Sequence, residues 1–157
     1  MALGEHGPKN YDAVFAELRL EQAHETRIFP EETDRIVEFT AGTPANSWSI
    51  WAEIEDDSTA PKKLSDKGTS NMHLSASLIE DLSDGGVRYV IEIAYGDDKI
   101  VVSRHRFVTG VEKKLVAITY ARIRADHIPA GEKIYYRMMC AVALATCEVS
   151  IRYHLHK

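Results

Sequence analysis

From Arg35 to the C-terminus, apolar and polar residues alternate over most of the chain. A period of two marks a strand that buries one face and wets the other. The pattern is cleanest at the end. In the run Thr146–His154 and just beyond, Cys147, Val149, Ile151, Tyr153 and Leu155 are apolar, while Glu148, Ser150, Arg152, His154 and His156 are polar. The preceding run, Lys133–Cys140, sets Ile134, Tyr136, Met138 and Cys140 on one face. Folded about Ala143–Leu144, the two runs predict a closing hairpin. In it Ile134 falls opposite Tyr153, Tyr136 opposite Ile151, Met138 opposite Val149 and Cys140 opposite Cys147, each inward residue meeting an inward partner.

The same reading extends upstream. Arg35–Thr40 is short and β-branched, and Ala41–Asn46 is a loop. Ser47–Glu55 alternates Trp48, Ile50, Ala52 and Ile54 against Ser49, Trp51 and Glu53, which predicts a strand with Trp48 in the core and Trp51 on the other face. Asp56–Ser70 is a polar surface loop. Met72–Glu80, Val87–Tyr95, Lys99–Val108 and Leu115–Arg124 read as further strands, separated by turn signals such as Ser83-Asp84-Gly85-Gly86 and Gly96-Asp97-Asp98. Tyr11–Thr26 fits either a helix after an Asn10 cap or an extended strand or arm, and residues 1–10 read as a lead-in. About eight short strands with tight turns predict an all-β, antiparallel two-sheet β-sandwich of jelly-roll type at 35–157, with an N-terminal arm or extension at 1–34. An immunoglobulin-like sandwich is the rival, and no Cys–Trp–Cys arrangement supports it.

Composition narrows the function classes. The chain has 157 residues, 45% hydrophobic and 27% charged, enough for one domain with its own core. A formal net charge of −5 disfavours non-specific binding to nucleic acid or to anionic lipid. No apolar run approaches membrane-spanning length, and the N-terminus has neither the basic nor the apolar region of a signal peptide. Two cysteines are too few for a disulfide scaffold or a four-thiolate metal site.

Candidate chemistry is sparse. His154 and His156 project from one face of a strand, and with His105 or Glu148 they are candidate ligands for Zn²⁺ or Ni²⁺ in a cupin-like protein; a polar face beside a fraying terminus is the plainer reading. Cys140 and Cys147, as cross-strand neighbours, are two small buried side chains or a pair within reach of a disulfide. The basic residues Lys99, Arg104, His105, Arg106, Lys113, Lys114, Arg122 and Arg124 suit solvated strand faces or a groove for an acidic partner. Trp51, Tyr135 and Met139 point outward, Tyr135 opposite Arg152, and this mixture suits a subunit interface better than open solvent; Trp51 is also a candidate sugar platform. There is no nucleophile elbow, phosphate-cradling glycine loop, His-Glu zinc motif or paired catalytic carboxylate, so neither an enzyme nor a cofactor is expected.

Three stretches resemble β-sandwich structural proteins of tailed bacteriophages. His127-Ile-Pro-Ala-Gly-Glu-Lys-Ile-Tyr-Tyr-Arg, followed by a small-residue turn and Cys147-Glu-Val-Ser-Ile-Arg-Tyr-His, is similar to their C-terminal hairpin. Thr43-Pro-Ala-Asn-Ser-Trp-Ser-Ile-Trp-Ala-Glu-Ile is similar to an opening segment of such domains, and Val90-Ile-Glu-Ile-Ala-Tyr-Gly-Asp-Asp to a strand and turn between them. Glu92 and Ala94 stand where Asp and Gly are usual, and the turn Ala141–Ala145 is more apolar than expected. The resemblance spans roughly Thr43 to His156. It implies a virion component made in the host cytoplasm, a head decoration, fibre or tail-associated jelly roll. It further implies a homo-oligomer, often trimeric, contacting other virion proteins, and no catalytic residues. The alternative is a carbohydrate-binding module, with a glycan as partner. In Ile128-Pro-Ala-Gly, Pro129 fixes φ and Gly131 permits a tight bend before the last strands.

Overall fold

The computed structural model describes residues 26–112 and 120–156. The segment Tyr11–Thr26, apart from its last residue, lies outside them, as do the basic pair Lys113 and Lys114 and the first half of the expected strand Leu115–Arg124. The described residues form nine strands: β1 (Arg27–Phe29), β2 (Val37–Thr40), β3 (Ala52–Glu53), β4 (Asn71–Leu82), β5 (Arg88–Tyr95), β6 (Ile100–Val108), β7 (Tyr120–Arg122), β8 (Ile134–Cys140) and β9 (Thr146–His156). A short 3-10 turn covers Leu64–Lys67. One sheet, sheet A, runs β1-β9-β4-β7, with β2 continuing along the edge of β9 that β1 begins. The other, sheet B, runs β3-β8-β5-β6.

The strand order has a simple origin. The antiparallel pairs β2–β9, β3–β8, β4–β7 and β5–β6 are those of one long ribbon rolled up into two sheets. That path is the jelly roll, so the chain is an all-β, two-sheet β-sandwich of that type. Its core is the set of inward residues from both sheets, including Phe39, Tyr153 and Ile151 from sheet A and Tyr89, Ile93 and Met138 from sheet B. Phe39 and Tyr136 stack across it, with ring centroids 3.9 Å apart.

The closing hairpin is not a hairpin. The inward set is as expected, since Ile134, Met138, Cys140, Cys147, Val149, Ile151 and Tyr153 are all buried. But β8 pairs with β5 and β3 in sheet B, while β9 pairs with β4, β1 and β2 in sheet A. Residues 141–145 form a corner between the sheets, with Leu144 at φ +57°. Two strands with inward apolar faces satisfy the same pattern whether they lie side by side or face each other across a core. Cys140 and Cys147 are therefore not cross-strand neighbours; both are buried free thiols on opposite sheets.

The second correction concerns Ser47–Glu55, where only Ala52–Glu53 is strand. Residues 41–49 pass the edge of β8 irregularly, with Ser49 N–H donating to Met138 O at 2.9 Å and Asn46 N–H to Cys140 O at 2.7 Å. A Cβ on Gly42 would sit 2.4 Å from the carbonyl of Trp48, so only glycine admits this crossing. The alternation is lost here: Ile50, expected inside, is 86% exposed. Gly131 does take the bend expected of it, at φ +80°.

Candidate functional site

The outer face of sheet B carries a buried ion-pair cluster. β5 is a central strand of this sheet, and Glu92 on it is flanked in register by Arg104 on β6 and Arg137 on β8. Arg104 Nε donates to Glu92 Oε1 and Arg137 Nε to Oε2, both at 2.6 Å. The Glu92 side chain is 0% exposed. Arg137 in turn lies between two indoles, its Cζ 4.4 Å from the Trp48 ring and 4.6 Å from the Trp51 ring. Trp48 is thus on the outer face rather than in the core, and one face of each indole is taken by a guanidinium. Tyr135 shares this side of the sandwich and holds the Lys99 ammonium 3.9 Å from its ring. Met139, half-buried, faces outward beside Val90.

Arg152 lies elsewhere, on the outer face of sheet A, 5.9 Å from the Tyr120 ring. It is not opposite Tyr135, because β8 and β9 do not pair. The interface candidates Trp51, Tyr135 and Met139 therefore share one side of the molecule, and Arg152 occupies the other.

Beside Arg152 is an imidazole cluster. His73 on β4 is the register partner of His154 on β9, and their ring centroids are 4.6 Å apart. His156 is 4.8 Å from His154, and His127, in the loop before Ile128, is 3.9 Å from His156. His105 is not part of it. It sits on β6 in sheet B, stacked 5.3 Å from Phe107, and burial lowers its pKa. Among the described residues, no three His, Cys, Asp or Glu side chains converge to hold a metal ion. A groove of about 840 Å³ borders the cluster, lined by His73, His154, Tyr120, Arg122, Arg124 and Asp126, among others.

The far end of the same face is acidic. Glu148 has Glu38 on β2 and Asp81 on β4 as direct cross-strand partners. Burial, and then the charges of Asp81, Glu38, Glu80 and Asp57, raise the pKa of Glu148.

Neither face was fully legible in the chain. Glu92, a lone carboxylate in the apolar run Val90–Ala94, was the available signal for the ion-pair cluster, because a central strand must supply such a group with cations. His73 and His127 carried no comparable signal, since only the β4–β9 pairing and the Ile128–Met72 bridge bring them to His154 and His156.

The arrangement offers ion pairs, cation–π contacts and charged faces, which are means of cohesion and binding. No family model matches the chain, and no curated protein matches it. Among solved structures, the VP2 subviral particle of infectious bursal disease virus aligns over 84% of this chain at 12% identity, with a TM-score of 0.39. The structure of the Gx strain of that virus aligns over 84% at 13% identity, with a TM-score of 0.37. This chain spans about a third of the length of each, 33% and 32%. The jelly-roll assignment rests on the strand order of this chain and not on those alignments.

Proposed function

We propose that this chain is a non-enzymatic structural subunit of a virus particle, a jelly-roll body that oligomerises and attaches to a virion as a head decoration, fibre or tail-associated protein. The observation that carries the reading is the rolled-ribbon strand order, in which the stretches that resemble phage structural proteins occupy β3, β5, β8 and β9. In this reading residues 35–157 are the body. Residues 1–34 are an extension whose end, β1, joins sheet A. A trimer with other virion proteins as partners is the expected assembly. The carbohydrate-binding reading is weaker, because Trp51 and Trp48 grip Arg137 rather than forming a free stacking platform.

Sedimentation of the full chain at high concentration tests the proposal. The expected result is an assembly of two or more 17.6 kDa chains, a trimer in the first place. A strict monomer at every concentration and salt would overturn it.

A further inference from the structure

The outer face of sheet A can be followed row by row along β9. The first row is Glu38–Glu148–Asp81. Two residues on, Ser150 lies beside Leu78, with Tyr120 beyond Leu78. The next row is Ile28–Arg152–Ala76–Arg122. Then come His154–His73, with Arg124 across the groove, and finally His156. One end is anionic, the middle carries Leu78 and Tyr120 with Glu80 accepting from the Ser150 hydroxyl, and the other end is mainly cationic, with Asp126 among the groove residues.

The arginines and the carboxylates of this face stand apart from the ion pairs made elsewhere. Arg104 and Arg137 bind Glu92, and Lys62, Lys63, Lys67 and Lys133 each meet a glutamate. Among the described residues, no carboxylate pairs with Arg122, Arg124 or Arg152, and no cation pairs with Glu38, Asp81 or Glu148. The apolar middle is also accessible, with Ile28 and Tyr120 each 42% exposed.

We propose that this face is a two-fold docking surface for a second copy of the chain. Stacked face to face with their β9 strands antiparallel, two copies set the Glu38–Glu148–Asp81 row of each against Arg152 of the other and the adjoining groove, where Arg122 and Arg124 outnumber Asp126. Leu78 and Tyr120, in the row between, then pack near the axis. A contact of this kind is self-complementary and closes as a dimer. Strand geometry makes the face about 27 Å by about 19 Å, or about 500 Å². A stable interface buries about 800 Å² per partner, so this one is weak and depends on its charges. The inference rests on the proposed assembly role, to which it adds a second kind of contact beside a trimeric one.

Charge reversal with rescue is the test. One variant carries Glu38→Lys and Asp81→Lys, the other Arg122→Glu and Arg152→Glu; all four side chains are exposed, so folding should survive, and thermal melts check this. Sedimentation equilibrium measures self-association of the full chain at low and high salt. The expected result is a doubling of the assembly's mass that salt weakens, at least about tenfold weaker doubling for each variant alone, and recovery when the two are mixed. The four-substitution chain should also recover. If an oligomer forms that neither variant weakens, or if mixing restores nothing, this face is not the contact, while the assembly role stands. A chain that is monomeric throughout overturns both.

Discussion

At the scale of single residues, Glu92 illustrates how burial changes what a charge is worth. Surface ion pairs contribute little, but a carboxylate that is 0% exposed must keep its cations. Arg104 is largely exposed and can return to water. Arg137 is held by Trp48 and Trp51 and cannot leave as easily. Glu92→Ala should therefore cost about 3 kcal/mol of unfolding free energy, whereas Arg104→Ala should cost about 1 kcal/mol or less. Urea denaturation of the two variants measures both. Equal losses would mean that the pair acts as a surface salt bridge.

At the scale of elements, the loop between β3 and β4 is closed around Asp56. This side chain accepts from Ser58 N–H at 3.1 Å, from the Ser58 hydroxyl at 2.5 Å and from Lys62 N–H at 2.9 Å. Burial alone would raise its pKa, but these hydrogen bonds and the nearby Lys62 charge outweigh burial and lower it. A carboxylate with a lowered folded pKa stabilises the protein above its unfolded pKa, and the gain is lost as pH falls through the folded value. Asp56→Asn should cost about 1–2 kcal/mol near neutral pH, and the difference from wild type should shrink below about pH 4. Thermal melts across that range check it, and a difference independent of pH would show that ionisation of Asp56 is not what closes the loop.

At the scale of the whole molecule, the two sheets meet through their inward side chains, and the cysteines report on that contact. Cys140 faces the core from sheet B and Cys147 from sheet A. Burial, the leading cause, pushes the Cys147 thiol far above its usual range, so it holds little reactive thiolate in the folded state. Alkylation at mildly alkaline pH should leave both thiols untouched until denaturant opens the sandwich, and mass spectrometry reads this directly. Rapid modification of the native protein would mean that the sheets part locally. The charged outer faces belong to the same scale, because each is assembled from strands distant in the chain: Glu92, Arg104 and Arg137 on one side, His73, Arg122 and Arg152 on the other.

The alternation of side chains along a strand is a local property. It sufficed to place Val149, Ile151 and Tyr153 inside and Arg152 outside, and to mark β4, β5, β6, β8 and β9 to within a few residues. Partnership between strands is not local. Cys140 and Cys147 fit one another equally well beside each other or across a core, and only the rolling of the ribbon into two sheets separated them. The irregular passage of residues 41–49, which turned Trp48 outward onto Arg137, depended on hydrogen bonds to β8, where Ser49 and Met138 meet across 89 residues of chain. The clustering of four imidazoles likewise came from the docking of β4 on β9. Side-chain rhythm records which way a residue faces. What it faces is decided by closure of the fold.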